Sequence, residues 1–198
     1  MKIEIRVATA EDAPQIAAIY VAAVVESAVS FETEAPDGAE IASRIEDTLD
    51  MYPWLVAERS HEIVSFVYAR RFRTRPAYDW DAEVTVFVKE GNQGLGVGRA
   101  IYSAMFDILT AQGFVNVYAA ITVPNEASIR FHQALGFELA GSFPAVGFKL
   151  GAWHTVEFWW AQLGDQPDAP QAPIPFGQFR DFPNCQEILQ QASQMVGE

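Results

Sequence analysis

The chain holds a single cysteine, Cys185, in 198 residues. That excludes an intrachain disulfide and a cluster of thiolate ligands, and no metal is expected. Positive charge is also scarce: 13 Lys and Arg stand against 26 Asp and Glu, a formal net charge of −13. Nucleic acid and anionic membrane surfaces repel such a chain at long range, so neither is expected as a partner. A cationic or zwitterionic small molecule is easier to accommodate. Nor is there a membrane element: the apolar run Ile16 to Val25 is too short to span a bilayer, and Glu4, Glu11 and Asp12 interrupt anything like a signal peptide. A soluble cytoplasmic protein is the expectation, and no internal repeat is found.

What is present is enough apolar material for one full core: 50% of residues are hydrophobic and 13% aromatic, which argues against disorder. Ile3, Ile5 and Val7 alternate with charged residues as a half-buried strand does, and Thr9 precedes a helix from Ala13 to about Val25. Asp37 is placed to cap a second helix carrying Ile41, Ile45 and Leu49 on one face. Two strands, Trp54 to Glu58 and Ile63 to Ala69, flank a polar turn at Ser60-His61. The segment Arg70 to Trp80 then gathers Arg70, Arg71, Arg73 and Arg75, whose planar forks suit a carboxylate, phosphinate or phosphate on a ligand. A solvated loop is the plainer reading of any one of them.

The centre of the chain is Glu83 to Val88, a polar turn, Gln93-Gly94-Leu95-Gly96-Val97-Gly98-Arg99, and an apolar-periodic run to Gln112. This pattern reads as strand, glycine turn and amphipathic helix. A helix start presents unpartnered N–H groups and the positive end of its dipole, and glycines let an anion approach them. The Lys-Ser/Thr pair of a nucleotide-hydrolysing loop is missing, and the next strand ends at Ile121-Thr122 without the ribose-binding acid of a dinucleotide fold. Gly113 stops the helix, and Val115 to Ile121 is apolar enough for a doubly covered parallel strand, completing a βαβ unit. Asn125 is placed to cap a short helix that runs through Ser128 and His132 to Gly136. Phe137 to Gly141 and Thr155 to Ala161 read as the last strands around a turn-rich Phe143 to Trp153. From Gly164 the chain becomes proline-rich and reads as a stiff strap ending in a helix from Asn184 to Met195, with Phe176, Phe179 and Phe182 available to dock it.

The glycine loop matches the Gln/Arg-x-x-Gly-x-Gly/Ala signature of the GCN5-related N-acetyltransferases at Gln93, Gly96 and Gly98. Residues 1–163 as a whole resemble their phosphinothricin and methionine sulfoximine N-acetyltransferase branch. The matching words are Ser30-Phe31-Glu32, Tyr52-Pro53-Trp54-Leu55-Val56-Ala57-Glu58, Ala77-Tyr78-Asp79-Trp80 with Ala82-Glu83, His132 with Ala134-Leu135-Gly136, and Gly147-Phe148-Lys149 with Gly151 and Trp153. Residues 164–198 lie outside the resemblance. Four positions depart from the pattern: Arg70-Arg71 replaces a small residue and a proline, Thr155 an Asp, and Leu95 a basic residue.

The resemblance implies an α/β (α+β) fold, with a mixed twisted sheet of six to seven strands flanked by about four helices and acyl-CoA in a cleft between the central parallel strands. It implies direct transfer of acetyl from acetyl-CoA to the amine of a small amino-acid-like acceptor, by an enzyme that in this branch is a homodimer. Val86, Phe87 and Val88 would hold the pantetheine arm as an added strand, and Gln93, Gly94, Leu95, Gly96, Val97, Gly98 and Arg99 the pyrophosphate, with Asn125 and Ser128 beside the arm. Glu83 would take the ammonium proton as general base, although a strand-end carboxylate can also simply pair with an arginine. His132 stands where relatives place a proton donor for the leaving thiolate; the other reading is a packed histidine bonded to a carbonyl. Phe31 and Tyr78 would line the acceptor pocket, and Arg73 and Arg75 would hold its anionic group. A polyamine, aminoglycoside or protein N-terminus as acceptor, and a non-catalytic acyl-CoA sensor, are the alternatives.

Overall fold

The alternating start of the chain forms strand β1 (Glu4–Val7), followed by helices α1 (Ala13–Val25) and α2 (Gly38–Leu49), the antiparallel pair β2 (Trp54–Arg59) and β3 (Glu62–Arg71), and β4 (Asp81–Val88). Then come α3 (Val97–Gln112), β5 (Asn116–Val123), α4 (Glu126–Gln133), the hairpin β6 (Glu138–Lys149) and β7 (Ala152–Gln162), and finally α5 (Phe176–Phe179) and α6 (Pro183–Gln194). The computed structural model describes residues 3–196; Met1-Lys2 and Gly197-Glu198, the outer ends of the two segments expected from the sequence, lie outside the described residues.

Local chemistry sets the element ends. The Asp37 carboxylate accepts from the Glu40 N–H at 2.9 Å and starts α2, and Gly113, at φ +100°, turns the chain out of α3. The seven strands lie in the order β1-β2-β3-β4-β5-β7-β6. Helices α1 and α2 cover one face, packing Ile16, Tyr20, Ile41 and Ile45 with Trp54, Val56 and Phe66. Helices α3 and α6 cover the other, where Ile101, Met105 and Ile108 share a core with Leu55, Val67, Cys185 and Leu189.

One departure from regular pairing positions the site. Strands β4 and β5 are the parallel pair, and they match only at Asp81↔Asn116, Ala82↔Val117 and Glu83↔Tyr118. Their outer edges stay paired much further, β4 to β3 as far as Val88↔Ser65 and β5 to β7 as far as Val123↔Thr155. The two central strands therefore part beyond Glu83, and their facing backbone edges open into a cleft.

Two sequence expectations are corrected. β5 is covered on alternate residues only, because Ala120 and Thr122 face the cleft that the parting opens. The turn-rich stretch Phe143 to Trp153 is mostly strand: β6 and β7 meet in a tight turn at Leu150-Gly151, both at positive φ. Pro144 obscured this in the sequence, and an edge strand tolerates it. Residues 1–163 carry the four helices expected, α1 to α4, and the proline-rich extension adds α5 and the expected helix α6.

That extension is docked. Gln112 donates to the Ile174 carbonyl at 2.7 Å, Trp80 to the Gln171 carbonyl at 2.7 Å, and Ser193 accepts from the Ile5 N–H at 2.8 Å. Phe176 and Phe179 are buried in the main core, whereas Phe182 remains exposed.

Candidate active site

On the α3 side of the split, the glycine loop is arranged as a backbone cradle. Gly94 and Gly96 both take positive φ, which is why glycine stands there. Among the described residues, no carbonyl or side chain accepts from the N–H groups of Gly94 to Arg99, and the first helical bond is Ala100 to Gly96. Gln93 shapes the loop from outside it: its amide accepts from the Gly91 N–H at 2.9 Å and donates to the Val88 carbonyl at 3.2 Å. A Cβ on Gly98 would press on Phe131 and Val88 at 3.4 Å. Val97 is buried in the core, while Leu95 and Arg99 are exposed at the mouth of the cradle.

The cleft itself is lined by Val84 to Phe87 on one strand and Ala119 to Thr122 on the other, with Asn125, Ser128 and His132 of the α4 region at its end. Asn125 caps α4 by accepting from the Ser128 N–H at 3.1 Å. An open strand edge followed by a row of unpartnered N–H groups fits an extended amide-bearing chain ending in phosphates. Among the described residues, no cluster of three or more His, Cys, Asp or Glu side chains could hold a metal ion, and no helix is long and apolar enough to cross a membrane.

Through the split the cleft meets a cavity of about 640 Å³; the two share Val29, Thr85, Phe87, Ala120 and Thr122 as walls. Glu83 lies on the cavity wall, 7% exposed. Its Oε1 accepts from Arg70 Nε at 3.0 Å and also from Arg70 Nη2, its cross-strand neighbour in the register. Among the described residues nothing donates to Oε2. Opposite stands Glu32, which accepts from Tyr20 at 2.9 Å and from both Arg44 nitrogens at 2.8 and 3.0 Å. Hydrogen bonds from Arg44 hold the Glu32 carboxyl below its usual range, against the upward push of burial.

Two distant words of the sequence converge on this cavity. Lys149 donates to the Ser30 carbonyl at 2.5 Å, and the Phe31 ring lies over Gly147 and 6.3 Å from the His154 ring. Phe31 lines the cavity, as does Arg73, which stacks on Phe72 and Phe158 at 4.4 and 5.7 Å. Arg75 and Tyr78 do not line it. Pro76 starts a single 3-10 turn that leaves Arg75 as its exposed cap and stands Tyr78 edge-on to Phe72.

His132 is placed as a packed histidine. Its Nδ1 donates to the Ser128 carbonyl at 2.8 Å and its Nε2 meets the buried Tyr102 hydroxyl at 3.0 Å. Burial lowers its pKa, so the neutral ring accepts from Tyr102. In this placement neither nitrogen presents a proton to the cleft, the arrangement of the second of the two readings the sequence left open. Sequence reasoning also missed Tyr20, Glu32 and Arg70 as cavity residues. Arg70 was visible as one of the four clustered arginines and as a departure from the family pattern, with nothing to show that it faced Glu83.

Comparison with known proteins follows the same outline. The family description "Acetyltransferase (GNAT) domain" matches residues 5–156. The chain is 40% identical over 172 residues to phosphinothricin N-acetyltransferase of Streptomyces viridochromogenes, across 87% of this chain and 93% of that one. It is 32% identical over 169 residues to L-methionine sulfoximine/L-methionine sulfone acetyltransferase of Salmonella typhimurium, across 85% and 98%. Among solved structures, a phosphinothricin acetyltransferase from Sinorhizobium meliloti in complex with acetyl-CoA superposes with a TM-score of 0.80 at 31% identity, covering 89% of this chain and 99% of that one.

Proposed function

We propose, from the premise that the chain belongs to the GNAT acetyltransferase family and is an acetyl-CoA-dependent N-acetyltransferase, that it acetylates the amine of a small amino acid of the phosphinothricin, methionine sulfoximine or methionine sulfone type. The observation that carries this reading is the meeting of two spaces at the β4–β5 split, with a buried carboxylate on the acceptor side. Acetyl-CoA supplies the acyl group as a thioester. Gly94 to Arg99 hold its pyrophosphate through their free N–H groups, and the open edge of Val86, Phe87 and Val88 holds its arm beside Asn125 and Ser128.

The acceptor enters the cavity as an ammonium, which cannot attack a thioester until it loses a proton. Glu83 Oε2 is free to take that proton directly or through one water, while Arg70 fixes Oε1. Arg73 is held flat by its two aromatic neighbours and offers its remaining donors to the phosphinate or sulfone oxygens. Alkyl thiols are far more acidic than alcohols, free cysteine titrating at roughly 8.5, so the sulfur leaves as thiolate when the C–S bond breaks and takes up the proton that the nitrogen sheds as the amide forms. Acetylation removes the ammonium that such an amino acid needs for recognition elsewhere, and detoxification is the outcome we assign.

The protein also pairs with a second copy in our reading. Phe148, Leu150 and Trp153 stand exposed together at the tip of the β6–β7 hairpin, an apolar surface suited to burial between copies. The acceptor assignment is tested by incubating the protein with acetyl-CoA and phosphinothricin, methionine sulfoximine, methionine sulfone or spermine, and detecting the N-acetyl product by mass. Products from the amino acids support the reading; product from spermine alone refutes it.

A further inference from the structure

Arg70 is bonded to Glu83, and its place in the cavity gives it a second task. It pairs in register with Glu83 across β3 and β4, and it forms part of the wall of the acceptor cavity. Its side chain is 58% exposed, so the guanidinium is open to whatever enters. A guanidinium has five N–H donors, and two of Arg70's are used on Glu83 Oε1. Glu32 lines the same cavity, but that carboxylate is already held by Arg44 and Tyr20. Arg70 therefore keeps donors free within one residue's length of the oxygen that receives the acceptor's proton.

We propose that Arg70 binds the α-carboxylate of the acceptor and makes this protein selective for α-amino acids over amines that lack that group. The inference rests on the acceptor class assigned above. In an α-amino acid one carbon separates the nitrogen from the carboxylate carbon. An ammonium set against Glu83 Oε2 thus brings its own carboxylate to the guanidinium that grips Oε1. Bidentate geometry then fixes the direction from which the amine faces the split. Arg73, further along the wall, is left to the side-chain end of the acceptor. The two arginines divide the ligand between them, and a plain amine leaves the remaining donors of Arg70 without an acceptor.

The test uses methionine sulfone and its decarboxylated counterpart, 3-(methylsulfonyl)propylamine, which share an uncharged side-chain end and differ only in the α-carboxylate. Wild-type protein is expected to prefer the amino acid in kcat/KM. In Arg70→Ala that preference falls about tenfold to a hundredfold, the range for losing a hydrogen bond to a charged group. The change lies in the KM of the amino acid. Arg70→Lys recovers part of the preference, because charge survives and the fork does not, and Arg73→Ala leaves the preference intact. An unchanged preference in Arg70→Ala overturns the role given to Arg70 while leaving the acceptor class standing. Wild-type protein that turns over the amine but not the amino acid overturns the acceptor class itself, and this inference with it.

Discussion

Phe31 and Gly147 occupy each other's space so closely that a Cβ on Gly147 would lie 2.1 Å from Phe31 Cε2. The loop after α1 and the edge strand β6, more than a hundred residues apart, are thereby locked at one point of the cavity wall. Gly147→Ala must displace the Phe31 ring, which is partly exposed and can swing aside at little cost in overall stability but not without reshaping the cavity wall. The acceptor KM should rise severalfold while the acetyl-CoA KM stays unchanged, since the cradle lies on the far side of the split. Steady-state kinetics with each substrate varied in turn checks this.

The extension behaves as part of the fold. Phe176 is fully buried in the main core, so Phe176→Ala should lower stability by about 3–5 kcal/mol in urea unfolding. The folded fraction that remains should keep its KM values, because no described residue of the extension lines the cleft or the cavity.

The Glu32–Arg44 pair gives stability an acid limb. The folded Glu32 carboxyl lies below its usual value of 4.5 because Arg44 donates to it. Such a group stabilises the fold at pH above the unfolded value and loses that contribution as pH falls through the folded one. Unfolding midpoints should therefore drop as pH falls below about 4.5, and Glu32→Gln should flatten that drop.

His132 should read as a structural histidine in solution. With its folded pKa below the usual 6.5, it contributes stability above that pH and loses it as pH falls, because unfolding lets the ring take up a proton. Nitrogen NMR should find it neutral at pH 7 with the proton on Nδ1, facing the Ser128 carbonyl. A charged ring, or a proton on Nε2, would return it to the list of acids.

Much of this was legible in the sequence because the signals are local. The caps Asp37 and Asn125, the stop at Gly113 and the glycine cradle each follow from a few adjacent residues. Glu83 and Phe31 were found through the family resemblance, and both line the cavity. What was not legible depends on register. Only the pairing of Arg70 with Glu83 across two strands shows that an apparent surface arginine reaches the carboxylate on the cavity wall. Only the single 3-10 turn at Pro76 shows that Arg75 and Tyr78 are carried away while Arg73 stays. His132 needed its partner Tyr102, thirty residues earlier on another helix, before its two readings could be separated.

The account turns on Glu83 taking the acceptor's proton. The most direct test is release of CoA thiol from acetyl-CoA with phosphinothricin, comparing wild type with Glu83→Gln, which keeps the shape and cannot accept the proton. Loss of a general base should lower kcat by about a hundredfold to ten-thousandfold with the KM for acetyl-CoA unchanged. A Glu83→Gln protein that works within a few-fold of wild type would show that the carboxylate serves only to pair with Arg70.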